Sequence, residues 1–196
     1  MVKRIAPEQC CGAIIDVQSF FLAQLGSREK ARIVRNTKHL IRLLGHFRMP
    51  LVVTLERPVE RKGSLPPEIG RPGIRAATFE KDFYDLTKEP AIRRHLAGLK
   101  RKQVVVAGCE TDVCVLQSCL GLLDLGYQVF LVEDALFSSA RNVEAALARL
   151  AAEGAILLSY KTLYYELTES VDTDRRIAKR LATYGPPPDD LPDTVS

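Results

Sequence analysis

Cys114 is the side chain best placed to act as a nucleophile. Before it, Val104, Val105, Val106 and Ala107 form a continuous apolar run rich in β-branched residues, the pattern of a strand buried on both faces. Gly108 ends that run. From Val113 the apolar positions fall at helical spacing, through Leu116, Leu120, Leu123 and Leu125, and Gly126 closes the pattern. Cys114 therefore stands where the carboxyl end of a strand turns into a helix, the end at which open α/β sheets bind ligands. A thiol in the first turn of a helix feels the positive end of the dipole, which favours thiolate. Such a group attacks electrophilic carbon if a base and an electropositive site accompany it. The same position also suits an inert, buried cysteine, and position alone leaves both open.

The elements that must hold Cys114 can be read along the chain. Residues 11–15 are a first buried strand, with Asp16 at its carboxyl end. Phe20 to Leu25 form a loop or short turn. Ser27 caps a helix running to residue 46, with Ile33, Leu40, Ile41 and Leu44 on one face. Pro50 opens a second strand over 51–55. Residues 56–75, with four prolines and three glycines, read as a long loop, a length that points to a functional or mobile segment. Residues 76–89 read as irregular with one short strand, and 90–98 as a helix with Pro90 in its first turn. After strand 103–107 and helix 113–125 come a strand over 128–132 and a helix capped by Ser138 or Ser139 through Ala152. A strand over 155–158 and helices over 162–167 and 173–182 follow. Alternation of this kind means a parallel sheet with right-handed crossovers. One domain over residues 1–184 is expected, with a disordered tail from 185 to 196.

The segment Gly108-Cys-Glu-Thr-Asp-Val-Cys114-Val115 resembles the nucleophile motif of the isochorismatase-like cysteine hydrolases. That superfamily includes nicotinamidases, N-carbamoylsarcosine amidohydrolases and isochorismatases. Ile14-Ile-Asp16-Val-Gln18 is similar to the family's Ile-Asp-x-Gln segment, and Lys81-Asp-Phe-Tyr84 to its lysine segment. The stretch from Asp124-Leu-Gly-Tyr to Glu133-Asp-Ala matches a further family strand. The likeness covers residues 10–170. It implies a catalytic triad of Asp16, Lys81 and Cys114, with the backbone N–H groups of Glu110 and Cys114 as oxyanion donors. It also implies a cis peptide bond between Cys109 and Glu110, and a three-layer α/β/α sandwich whose six-stranded parallel sheet has order 3-2-1-4-5-6. Gln18, Phe21, Glu56, Phe83 and Tyr84 are candidates for the substrate pocket. In the implied chemistry Asp16 takes the thiol proton, Lys81 supplies positive field, and the thiolate attacks a carbonyl to give a thioester. Taken singly, Asp16 also suits a turn cap and Lys81 a solvated loop lysine.

Departures from the family's patterns narrow the reading. The Asp-x-His metal motif of nicotinamidases is replaced by Thr54-Leu-Glu-Arg-Pro58, and His39, His46 and His95 lie elsewhere, so no metal is expected. True isochorismatases generally lack the nucleophilic cysteine. After Lys81, Asp85-Leu-Thr87 stands where the family has Ser-x-Phe. Thr54-x-Glu-x-Pro58, Pro67-Glu-Ile-Gly70, Gly108-x-Glu110 and Leu122-Leu-Asp-x-Gly126 bring the chain nearest to the isochorismatase domain-containing proteins and the YcaC-like hydrolases. A small amide or related C–N bond is the expected substrate. The alternative is a redox-sensing or ligand-binding scaffold whose Cys114 reacts without turning over, given Cys109 and Cys119 nearby in sequence.

Composition excludes other classes. The 196 residues are 46% hydrophobic and 27% charged, with net charge +4. That small excess is dispersed, and no aromatic residues interleave with the basic runs, so nucleic-acid binding is not expected. No apolar run reaches the roughly 20 residues of a membrane span, and the N-terminus lacks the apolar core of a signal peptide. Five cysteines without framework spacing suit a reducing cytoplasm. With neither a G-x-G-x-x-G nor a G-x-x-x-x-G-K motif, no nucleotide cofactor is expected. The leucines of 113–125 exceed what one sheet face needs, which suggests a homo-oligomer.

Overall fold

A computed structural model describes residues 3–69, 76–140, 142–184 and 188. Six strands form one parallel sheet: β1 (Cys10–Ile15), β2 (Leu51–Glu56), β3 (Ala76–Lys81), β4 (Gln103–Gly108), β5 (Gln128–Leu136) and β6 (Ile156–Leu158), in the order β3-β2-β1-β4-β5-β6. The helices are α1 (Ser19–Leu22), α2 (Ser27–His46), α3 (Val59–Lys62), α4 (Pro90–Gly98), α5 (Leu116–Asp124), α6 (Glu144–Ala152), α7 (Tyr160–Thr168) and α8 (Val171–Leu181). Strand side chains divide between two cores. Cys10, Ile14, Val53, Val105 and Phe130 pack with residues of α2, α7 and α8 on one face. Cys11, Ile15, Val52, Val106 and Leu131 pack with α4, α5 and α6 on the other. The sandwich and its strand order are those expected. No described helix is long and apolar enough to cross a membrane. The expected tail, 188 aside, and residues 70–75 of the long loop lie outside the described residues.

The central pair β1 and β4 fixes the site. Ile15 pairs with Gly108, so Asp16 and the turn carrying Cys114 leave the sheet side by side. Gly108 has φ +128°, and a Cβ there would lie 2.0 Å from the Ile15 carbonyl oxygen. Only glycine lets the two backbones approach this closely.

Three local expectations are corrected. Strand β5 runs on past Val132 to Leu136, because a register shift after Val106 brings Leu136 opposite Gly108. Phe137 N–H then donates to Gly108 O, and its own carbonyl accepts from Thr111 N–H. Helix α6 starts at Glu144 with no side-chain cap. Ser138 Oγ instead donates to Asp112 Oδ1 at 2.6 Å, so the expected cap serves the turn that carries Cys114. The third correction concerns the segment after β4. Thr111–Val115 is a single π-helical turn, and the α-helix begins at Leu116. The wider turn shifts the buried stripe to Leu116, Cys119 and Leu122, with Leu120 and Leu123 half-buried against the same core. Only Leu125 of these leucines is exposed, at 36%, so α5 has little apolar surface to spare.

Candidate active site

The first four strands bring polar residues together at the same end of the sheet. Asp16 follows β1 in the left-handed region, φ 51°, which Asp tolerates better than most residues. Its carboxylate is fully buried. Oδ1 accepts from Thr54 Oγ1 at 2.8 Å, and Oδ2 lies 2.7 Å from Lys81 Nζ. Lys81 is the last residue of β3, opposite Glu56 of β2, and is also fully buried. Its ammonium pairs with Asp16 and donates to the Phe83 carbonyl at 3.2 Å and to Cys114 Sγ at 3.4 Å. Cys114 lies on the π-helical turn, and its thiol donates to Glu56 Oε2 at 3.1 Å. The other oxygen of Glu56, Oε1, accepts from Lys62 of α3. The peptide bond between Cys109 and Glu110 is cis.

The charges of this cluster are mutually dependent. Burial pushes the Asp16 carboxyl above its ordinary value, although Lys81 and the bond from Thr54 pull against it. Burial alone would lower Lys81, but the negative groups around it, Asp16 first, carry it above the ordinary lysine value. Burial and then the Asp16 charge push the Cys114 thiol well up, with Lys81 opposing. Burial and the Asp16 charge thus work against the thiolate that the helix end and Lys81 favour. Burial would raise Glu56, yet hydrogen bonds from Lys62 and Cys114 bring it below its usual value. Oxygens of Asp16 and Glu56 and Sγ of Cys114 lie within 4.8 Å of one another, a spacing that would suit a cation. Each carboxylate already has an ammonium against it, from Lys81 or Lys62.

A family model for the isochorismatase domain matches residues 13–162. The chain belongs to the isochorismatase family of hydrolases. The secreted isochorismatase effector Isc1 of Phytophthora sojae is 32% identical over 172 residues, covering 84% of this chain and 79% of that protein. Isochorismatase domain-containing protein 2A of Mus musculus is 32% identical over 167 residues, covering 84% and 77%. Among solved structures, the YcaC gene product of Escherichia coli superposes with TM-score 0.86 at 22% identity, covering 94% of this chain and 91% of its own. It is described as an octameric hydrolase of unknown specificity.

Within this isochorismatase domain the expected pocket residues separate. Glu56 touches Cys114. Gln18 is fully buried and holds the backbone of Glu56 from both sides. Its Oε1 accepts from Glu56 N–H at 2.8 Å, and its Nε2 donates to Glu56 O at 3.1 Å and to Gly63 O at 2.7 Å. Gln18 therefore positions the loop after β2. Phe21 is half-buried, with Lys62 Nζ 5.6 Å from its ring centroid. Phe83 and Tyr84 are 49% and 57% exposed. The Phe83 carbonyl meets Lys81, and the Tyr84 carbonyl accepts from Ser118 Oγ. Sequence reasoning missed two members, Thr54 and Lys62. Thr54 had a signal, a lone hydroxyl inside the apolar run of β2. Lys62 had none, since it reads as a solvated surface lysine beside Arg61.

Proposed function

We propose that this chain is a cysteine hydrolase that cleaves a small amide or related C–N bond through a thioester on Cys114. The observation that carries this reading is the buried Asp16–Lys81 pair lying against the Cys114 thiol at the end of the sheet. Asp16 takes the thiol proton, made a better base than an ordinary aspartate by its burial. Lys81 offsets the negative charge as sulfur becomes thiolate. Sulfur attacks the carbonyl carbon, and the backbone N–H groups of Glu110 and Cys114 receive the oxyanion. The C–N bond breaks as Asp16 returns the proton to nitrogen, and the amine leaves. Water then attacks the thioester, giving the acid and free Cys114 thiol. No step requires a cofactor.

The experiment is a screen of amides and ureides against wild type and Cys114→Ser, with mass detection of an acyl adduct on Cys114. Wild type should turn over at least one compound, and Cys114→Ser should lose about 1,000-fold or more. Turnover that survives in Cys114→Ser would sink the reading. The alternative of a redox relay through neighbouring thiols is less favoured. Cys109 donates to the Asp16 carbonyl at 3.0 Å, and burial raises both Cys109 and Cys119, leaving little thiolate for exchange.

Assembly of several copies belongs to the same reading and is motivated by the octameric YcaC relative. Light scattering should report a multiple of the 21.8 kDa chain, and the mass of one chain at micromolar concentration would contradict it. The five free, buried thiols fit a reducing compartment, and we place the protein in the cytoplasm. Fractionation showing it outside the cell would overturn that placement.

A further inference from the structure

Two carboxylates flank one thiol here, and the amide-hydrolase reading uses only Asp16. We infer that Glu56 reads the N–H of the substrate's scissile group, so that the site selects primary or monosubstituted amides and ureides over esters and fully substituted amides. This rests on the hydrolase reading and specifies its substrate class.

The argument begins with the sulfur. Glu56 Oε2 holds the thiol proton at 3.1 Å. A carbonyl carbon in position for attack comes within about 3–3.5 Å of sulfur, which places its nitrogen substituent within reach of the same oxygen. An incoming N–H takes the place of the S–H on Oε2 and frees the thiol proton for Asp16. Glu56 is built to stay an acceptor. Lys62 engages its other oxygen, and Gln18 fixes its backbone on both sides. The environments drive the two acids apart, Asp16 upward as a proton carrier and Glu56 downward as a permanent anion. An ester oxygen or a dialkylated nitrogen would bring only lone pairs or methyl groups against that anion. A site built for a hydrogen bond rejects the analogue that cannot make it.

The test compares labelling of Cys114 by 2-chloroacetamide, N,N-dimethyl-2-chloroacetamide and methyl chloroacetate. In each, sulfur bonds to the methylene carbon, chloride leaves with the C–Cl electron pair, and the thiol proton passes to base. Rates are read by peptide mass and divided by those of N-acetylcysteine, which cancels intrinsic reactivity. Wild type should favour chloroacetamide over the other two reagents by about 10-fold or more. Glu56→Met should erase that preference. Glu56→Gln, whose amide oxygen is a neutral acceptor, should keep part of it and serves alone if the Met variant does not fold. A preference unchanged in both variants, or absent in wild type, overturns the inference and leaves the hydrolase reading to the Cys114→Ser screen. If Cys114 is labelled no faster than Cys10, Cys11, Cys109 and Cys119, both readings fail together.

Discussion

Lys81→Met is expected to lower folding stability by about 3–5 kcal/mol and to abolish turnover. The cost is that of removing one partner of a buried ion pair, which strands the other charge. Asp16 and Lys81 are both fully buried and 2.7 Å apart. Without the ammonium, Asp16 loses the charge that opposes its burial and keeps the bond from the Thr54 hydroxyl, so it protonates and ceases to be a base. Cys114 loses the positive charge that lowers its thiol, so its alkylation at neutral pH should slow as well. Asp16→Asn combined with Lys81→Met should be less destabilised than the sum of the single changes, because the double variant leaves neither charge of the pair stranded. Urea unfolding of the four proteins measures this. A Lys81→Met loss under about 1 kcal/mol, or simple additivity, would show that the pair is not coupled as the geometry requires.

Gly108→Ala should destabilise by more than about 4 kcal/mol, the range reserved for backbone collisions and cavities. The added Cβ would meet the oxygen, nitrogen and carbonyl carbon of Ile15, at 2.0, 2.7 and 2.8 Å. These are backbone atoms of the central strand, so no side chain can swing away. Separating β1 from β4 would also move Asp16 from the nucleophile turn, and activity should fall with stability. Gly126→Ala is the control. Gly126 also has positive φ, at +82°, but nothing lies within 4 Å of a Cβ there, so its cost should be only about 1 kcal/mol. Equal losses at the two positions in urea unfolding would refute the close-approach argument.

Much of this arrangement was legible before the structure. The apolar runs at 11–15, 51–55 and 103–107 mark strands buried on both faces, and their pattern depends on burial alone. The resemblance supplied the strand order and brought Asp16, Lys81 and Cys114 together, as the geometry does. What stayed hidden depends on tertiary contact. Lys62 pairs with Glu56 because a short helical turn after β2 folds back, and no periodicity encodes that. Ser138 looks like a helix cap in sequence, yet it donates to Asp112 on the turn that carries Cys114. The π-helical turn adds width that helical spacing does not anticipate, so the stripe assigned to α5 was displaced. Dipole and lysine, which favour thiolate at Cys114, are visible in sequence, whereas the burial that opposes them is a tertiary property.

The gathering of polar residues at the same end of β1, β2, β3 and β4 also has a kinetic meaning. The contacts of Cys114 with Lys81 and Glu56 span 33 and 58 residues of chain, and Lys81 comes from the edge strand of the sheet. Closing such long loops costs entropy before any contact repays it. A chain that has paired only β1 with β4 presents the thiol beside an aspartate with no ammonium. The constellation proposed to be catalytic therefore appears only when the edge strand docks, and a partly folded chain displays Cys114 without Lys81 beside it.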